Sequence, residues 1–215
     1  MIGEITTGAL DVLLVVNVQH VFCLGGALAI TGGDEVVAVI NALAARFDHV
    51  VMTQDWHPGG HSSFASAHPG HSPFETVRMP YGAQTLLPDH CVQGTRGAEI
   101  HAGLALPNCA MIVRKGFRTE IDSYSAFREN DRQTATGLAG YLRERGLARL
   151  YLAGLATDFR VHFSAVDARA EGFEACVIDD ACRAIDVDGS LATARENMRA
   201  AGVGFVAAAD LRAPA

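Results

Sequence analysis

Short apolar segments alternate with segments of helical periodicity along most of the chain, and this alternation constrains the fold more than any other feature. The predicted strands are residues 12–18, 50–53, 111–114, 150–153, 175–178 and 203–206. The predicted helices are residues 35–47, 132–145, 159–171 and 190–201, the first with Asp34 as its expected cap. Strands joined by helices form βαβ units, so the pattern predicts an α/β protein with a mostly parallel, Rossmann-like sheet.

Length and charge limit the class of protein further. The chain has 215 residues, and we expect one domain over residues 1–215. Its net charge of −7 argues against nucleic acid as a partner. No apolar run approaches the about 20 residues of a membrane span, and the first residues do not have the pattern of a secretory signal. We therefore expect a cytoplasmic protein with no membrane partner; the sequence leaves a homo-oligomer open.

The five cysteines are Cys23, Cys91, Cys109, Cys176 and Cys182. Their number is odd and no two form a CxxC pair, which argues against a disulfide framework and against a four-cysteine zinc site. We expect most of them to be buried thiols.

One long segment, about residues 54–107, interrupts the strand–helix rhythm and is predicted to be irregular. A loop of this length inside a compact domain is usually functional. Ligands of open α/β sheets bind beyond the carboxyl ends of the strands, which here are Asn17, residues 53–55, residues 114–115 and residues 154–158.

Histidines and one aspartate in this segment form a candidate metal site. Asp55, His57 and His61 follow a predicted strand directly, and His90 comes later in the same segment. One carboxylate with two or three imidazoles suits Zn²⁺, Fe²⁺ or Mn²⁺. The alternative is that these polar side chains simply face solvent.

Six stretches carry a resemblance to a known family, and they cover nearly the whole chain. They read VVNVQHVFCLGGAL, TQDWHPGGHSSFAS, TLLPDHCVQGTRGAEIH, VRKGFRTEIDSYSAF, LAGLATDFRVHFSAVDA and DDACRAI. In these motifs the chain resembles the nicotinamidase/pyrazinamidase family of the isochorismatase-like hydrolases. The resemblance implies a three-layer αβα fold with a six-stranded, mostly parallel sheet. It also implies hydrolysis of nicotinamide to nicotinate and ammonia by a cysteine, an aspartate base and a lysine beside a metal ion.

The family's functional residues can be matched to positions of this chain. The resemblance implies Asp55, His57 and His90 as metal ligands, with His61 on the metal or one of its waters. It implies Lys115 as the lysine of the triad and the backbone of Ala156 in the oxyanion hole, with a cis bond between Leu155 and Ala156. The pocket-lining positions match Phe22, Tyr124 and Leu87, the last where a tryptophan is common.

Two of the three triad positions depart from the family pattern. Asn17 stands at the position of the aspartate base, and a neutral amide cannot take a proton from a thiol. Arg160 stands at the position of the cysteine nucleophile, and a guanidinium has no deprotonated form near neutral pH. Neither Cys23 nor Cys91 has the helix-start position that activates a thiol, so we expect neither to replace it.

These substitutions lead to a hypothesis and several alternatives. We expect the positive charges of Lys115, Arg160 and a divalent metal to bind a small carboxylate such as nicotinate, without amide cleavage. Arg160 could instead turn outward and pair with Asp158 or Asp167, and Asn17 could be a structural amide. A divergent hydrolase that uses metal-bound hydroxide and a nicotinamidase carrying inactivating substitutions are the other interpretations.

Overall fold

The computed structural model of the protein describes residues 5–213. The strands are β1 Ile5–Thr6, β2 Asp11–Val16, β3 His49–Asp55, β4 Thr76–Met79, β5 Gly82–Thr85, β6 Cys109–Lys115, β7 Arg149–Leu155, β8 Glu174–Arg183, β9 Gly204–Val206 and β10 Leu211–Arg212. The helices are α1 Glu35–Ala44, α2 Leu138–Glu144, α3 His162–Ala170 and α4 Ser190–Ala200.

Six of the strands form one parallel sheet in the order β6-β3-β2-β7-β8-β9, which confirms the predicted fold class. β2 lies at the centre, and the chain moves outward from it first through β3 and β6 and then through β7, β8 and β9. In sheets of this order the crevice that binds ligands opens at the carboxyl ends of the strands beside this reversal. The ends of β2, β3, β6 and β7 are therefore where a site is expected.

The sheet is covered by helices on both faces because the side chains of its central strand alternate. Leu13 and Val15 of β2 belong to one core with residues of α1. Val12, Leu14 and Val16 point to the other face, where the core includes residues of α2, α3 and α4. A strand that is buried on both faces reads as a continuous apolar run, as β2 does.

Two predicted helices begin later than their periodicity indicated. The helix predicted from residue 132 begins at Leu138, because the Asp131 carboxylate accepts the backbone N–H groups of Gln133 and Thr134 and holds a turn there. The helix predicted from residue 159 is preceded by a π-helical turn, Thr157–Val161. At α1, Asp34 occupies the predicted cap position, but its carboxylate accepts the Leu24 N–H at 2.7 Å and does not cap the helix.

The long segment between β3 and β6 has more regular structure than predicted. It contains the antiparallel hairpin β4–β5 and two short 3₁₀ turns, Ala65–Ala67 and Arg96–Ala98. Isolated bridges join His57 to Val92 and Phe64 to Leu87. These bridges bring His57 and His90 to the same end of the sheet. Among residues 5–213, no helix has the length and apolarity needed to cross a membrane.

Candidate functional site

Four residues predicted from the sequence meet at the carboxyl end of the sheet, and all are buried. Asn17 follows β2, Asp55 ends β3, and Lys115 ends β6 in register with Asp55. Arg160 lies in the π-helical turn after β7. The cis bond between Leu155 and Ala156, which the resemblance implied, is present at the end of β7.

Asp55 is bonded to two cationic side chains. Lys115 Nζ donates to its Oδ1 at 2.5 Å, and Arg160 Nε donates to its Oδ2 at 3.2 Å. Burial alone would raise the pKa of the Asp55 carboxyl, but the charges of Lys115 and Arg160 outweigh it and hold that pKa well below its usual range. Lys115 also donates to the backbone oxygen of Ser123 at 2.8 Å. Both cations are therefore compensated by one carboxylate, which the hypothesis of a positively charged pocket did not foresee.

The Arg160 side chain turns inward, toward the predicted metal ligands. Its Nη2 lies 3.3 Å from Nε2 of His90, and its guanidinium carbon lies 5.4 Å and 5.3 Å from the ring centres of Phe22 and Tyr124. The outward alternative is wrong, because Asp167 pairs with Arg132 and the Asp158 carboxylate accepts the backbone N–H groups of Ile185 and Asp186. The remaining terminal nitrogen of Arg160 donates no hydrogen bond within the described part of the chain.

His90 is oriented as a neutral imidazole with an acceptor nitrogen facing the site. Its Nδ1 donates to the Pro88 carbonyl at 2.9 Å, which leaves the lone pair on Nε2. Burial lowers the pKa of His90 to about 3, with the nearby charges of His57 and Arg160 acting in the same direction. His57 donates from Nδ1 to the His90 carbonyl at 3.1 Å. These histidines are buried, so the alternative that they face solvent is wrong.

The histidines and carboxylates fall into two candidate metal groups. In the first group, Asp55, His57 and His90 each present a ligand atom within 4.8 Å of the others, and all three are buried. One carboxylate and two imidazoles fit a divalent ion such as Zn²⁺ in kind and in spacing. His61 does not belong to this group. It forms the second one with His57 and Asp122, each of which presents a ligand atom within 4.8 Å of the others.

Asn17 has a buried donor without a partner. Its backbone has a φ of +50°, a left-handed conformation that asparagine tolerates better than most residues. Its Oδ1 accepts the Thr53 hydroxyl at 2.6 Å, but no acceptor within residues 5–213 meets its Nδ2. Asn17 thus bonds a neighbouring side chain and leaves an N–H group free for a ligand.

The predicted pocket residues lie around this centre. Tyr124 accepts a hydrogen bond from Gln84 at 3.1 Å, and its ring lies beside Arg160. Leu87 is half-buried and pairs through its backbone with Phe64, whose ring lies 5.4 Å from the rings of both His57 and His90.

Neither neighbouring thiol has the properties of a nucleophile. Cys91 is buried and accepts a hydrogen bond from Gln19 Nε2 at 3.3 Å, and burial raises its pKa well above the usual value. Burial and the charge of Asp34 raise the pKa of Cys23 to about 11. A thiol needs a lowered pKa to react as a thiolate near neutral pH, so the expectation that neither cysteine replaces the nucleophile agrees with the structure.

Asp122 is the main site residue that sequence reasoning missed. It is buried, its Oδ1 accepts the Ser123 N–H at 2.7 Å and lies 3.4 Å from His57 Nε2, and its Oδ2 accepts a hydrogen bond from Gln84 at 3.1 Å. Burial alone would raise the pKa of Asp122, but His57 and Arg160 keep it well below the usual range. Asp122 lies inside one of the stretches that carry the resemblance, yet no spacing in the sequence singled it out.

Gly116 makes room for the first histidine of the site. It follows Lys115 with a φ of +64°, and a Cβ atom there would lie 2.6 Å from His57 Nε2. A side chain at this position would displace the imidazole, so the glycine is required both by the backbone conformation and by the close approach.

The fold and this arrangement of residues define a class of hydrolase-like α/β proteins, and the chain belongs to the isochorismatase family. The model of the isochorismatase domain matches residues 11–210. Within that family, the chain is similar to nicotinamidases. It is 55% identical over 191 residues to the nicotinamidase of Acinetobacter baylyi, covering 89% of each chain.

Solved structures give the same assignment of family. A nicotinamidase and pyrazinamidase of Acinetobacter baumannii has a TM-score of 0.93 and 50% identity, covering 94% of this chain and 98% of that one. PnC1 of L. infantum, in complex with nicotinate, has a TM-score of 0.86 and 36% identity, covering 98% and 100%. The pyrazinamidase of Pyrococcus horikoshii, in complex with zinc, has a TM-score of 0.76 and 32% identity, covering 92% and 98%.

Proposed function

We propose that this protein binds a small planar carboxylate of the nicotinate type and does not cleave nicotinamide by a cysteine mechanism. The observation that carries the proposal is Arg160, which stands at the nucleophile position with its guanidinium buried beside Phe22, Tyr124 and His90. An arginine cannot attack an amide carbon, and the amide of Asn17 cannot act as a general base.

The charge balance of the site opposes an anionic ligand less than the family pattern would. Relative to the family pattern, asparagine in place of aspartate removes one negative charge and arginine in place of a neutral thiol adds one positive charge, a net change of +2. Lys115 and Arg160 then balance Asp55 and Asp122, where the family pattern would leave the group negative. A site that carries less negative charge repels a carboxylate less.

Free donors support the same ligand. Asn17 Nδ2 and one terminal nitrogen of Arg160 have no acceptor among the described residues. A carboxylate offers two oxygens that each accept charge-assisted hydrogen bonds, and an aromatic ring attached to it would pack against Phe22 and Tyr124. The relative from L. infantum has been solved with nicotinate, a ligand of this chemistry.

A divalent metal is the expected cofactor, with Zn²⁺ first and Fe²⁺ or Mn²⁺ as alternatives. With Arg160 moved away from Asp55, the residues Asp55, His57 and His90 would hold it, and it would supply a positive charge for a ligand's ring nitrogen or carboxylate. The pyrazinamidase of Pyrococcus horikoshii contains zinc. His57 donates its second nitrogen to the His90 carbonyl, and His90 donates its own to the Pro88 carbonyl, which is the orientation that metal-binding histidines require.

Calorimetric titration and ammonia release test the proposal together. We expect nicotinate to bind more tightly than nicotinamide, and no ammonia release from nicotinamide above background with or without added Zn²⁺, Mn²⁺ or Fe²⁺. The double variant Asn17→Asp, Arg160→Cys should release ammonia, while Asn17→Asp alone should not, because it still lacks a nucleophile. Nicotinamide turnover by the native chain without nicotinate binding would refute the proposal, and turnover that depends on added metal would favour the divergent hydrolase.

A further inference from the structure

We infer that the Arg160 guanidinium and a divalent metal ion compete for the same two buried groups, Asp55 and His90, so that this chain carries its own cation at the metal position. Whether an ion can enter the first metal group is a separate question from which organic ligand binds. It depends on which atoms of Asp55 and His90 face the site and on what those atoms already bond.

Only one atom of each residue is open toward the metal position. Oδ1 of Asp55 bonds Lys115, which leaves Oδ2, and Nδ1 of His90 bonds the Pro88 carbonyl, which leaves Nε2. Arg160 occupies both remaining atoms: its Nε lies 3.2 Å from Asp55 Oδ2 and its Nη2 lies 3.3 Å from His90 Nε2. The guanidinium thus bridges the carboxylate and the imidazole. The same two atoms would have to coordinate a metal ion.

A metal ion cannot share these atoms with the guanidinium. Zinc ligands lie about 2.0–2.2 Å from the ion, so an ion on Asp55 Oδ2 and His90 Nε2 would fall where the N–H groups of Arg160 now point. Two positive charges at such short range in a buried site also repel strongly. Arg160 must therefore withdraw from Asp55 before the ion binds.

Withdrawal is costly because Arg160 is held on several sides. Its side chain is 4% exposed, and its guanidinium lies beside the rings of Phe22 and Tyr124. Breaking a buried ion pair by moving one partner away is strongly unfavourable. We expect the native chain to bind Zn²⁺ at least about 100-fold more weakly than a variant without the guanidinium.

Metal affinity measured without any organic ligand tests the inference. The protein is stripped with a chelator, and Zn²⁺ is then titrated in competition with a chromophoric chelator, with Co²⁺ absorption as a second readout of the ligand geometry. Two variants remove the charge: Arg160→Ala opens the position, and Arg160→Met keeps most of the side-chain volume and guards against a folding defect. Arg149→Ala is the matched control, because Arg149 pairs with Asp11 at the other end of the same sheet.

Both Arg160 variants should bind one Zn²⁺ at least about 100-fold more tightly than the native chain, and the control should bind like the native chain. Adding His90→Ala to either variant should abolish the gain. Equal Zn²⁺ affinity of the native chain and both variants would overturn the inference, as would a gain that survives His90→Ala. Since no carboxylate or amide is present, this result is independent of whether the protein binds nicotinate.

Discussion

The two ends of the central sheet each bury an aspartate that is paired with an arginine, but the two pairs differ in what surrounds them. At the amino end, Arg149 donates two hydrogen bonds to Asp11, at 2.7 and 2.8 Å, and Asp11 also accepts the Gly8 N–H. Arg149 remains 38% exposed, so water can reach it. At the carboxyl end, Asp55 is shared by Lys115 and Arg160, and Arg160 is 4% exposed.

The two ends also differ in how many charged and polar groups they bury. The amino-end pair involves one cation and one anion, and its hydrogen bonds lie within the pair and the neighbouring backbone. The carboxyl end concentrates two cations, two carboxylates and three histidines away from water, and still leaves Asn17 Nδ2 without an acceptor among residues 5–213. A cluster of buried charges and an unpartnered buried donor both cost stability, which supports the proposal that the carboxyl end binds a ligand.

Removing the charge of each aspartate should give the largest difference in stability loss between the two ends of the sheet. Asp55→Asn leaves two buried cations without their carboxylate, and we expect the free energy of unfolding to fall by about 3–5 kcal/mol. Asp11→Asn should cost about 1–2 kcal/mol, because water can still solvate Arg149. Urea unfolding monitored by circular dichroism measures both. Equal losses for the two variants would show that the ends do not differ as described.

Replacing a glycine near each aspartate by alanine should give the next largest difference in stability loss. Gly116→Ala places a Cβ against His57 at a positive φ and should cost about 2–4 kcal/mol, combining backbone strain and overpacking. At Gly8, whose N–H bonds Asp11, an added Cβ atom would meet nothing within 4 Å, so Gly8→Ala should stay within about 0.5 kcal/mol. Thermal melts of the two variants check this, and a Gly116→Ala melt that matches the native chain would contradict the close approach of His57.

Replacing each arginine by lysine should give the smallest contrast. A lysine at position 160 keeps the charge but cannot reach Asp55 and His90 together, so we expect a loss of about 1–2 kcal/mol. Arg149→Lys should cost less than about 1 kcal/mol, because the side chain at position 149 is partly exposed and water can replace a lost hydrogen bond. Denaturant titration of both variants is the measurement. A larger loss at position 149 would reverse the comparison.

Much of the fold was predictable because its signals are local. The apolar run of β2 and the alternation of strands with helices indicated the parallel sheet, and each of the six strands was placed from its own residues. The delayed start of α2 was not predicted, because the Asp131 side chain competes with helical hydrogen bonds for the N–H groups of residues 133 and 134. Propensity alone does not resolve that competition.

The sequence predicted which residues form the site better than it predicted the hydrogen bonds and ion pairs between them. The sequence singled out Asp55, His57, His90, Lys115 and Arg160, and the structure brings all five together. Their pairing could not be predicted. His61 lies with Asp122, which no motif spacing indicated, and the partner of Arg160 is neither of the two acids considered from the sequence.

The sequence by itself therefore determined the family, the order of the elements and the presence of Asn17 and Arg160 at the positions that the resemblance matches to the base and the nucleophile. Only the tertiary structure decided what Arg160 does. Its long side chain has many rotamers, and its direction depends on Asp55, 105 residues away, and on His90, 70 residues away. Local sequence restricts backbone conformation. The partner of a buried charge depends instead on strand order, because strand order determines which residues are neighbours at the carboxyl end of the sheet.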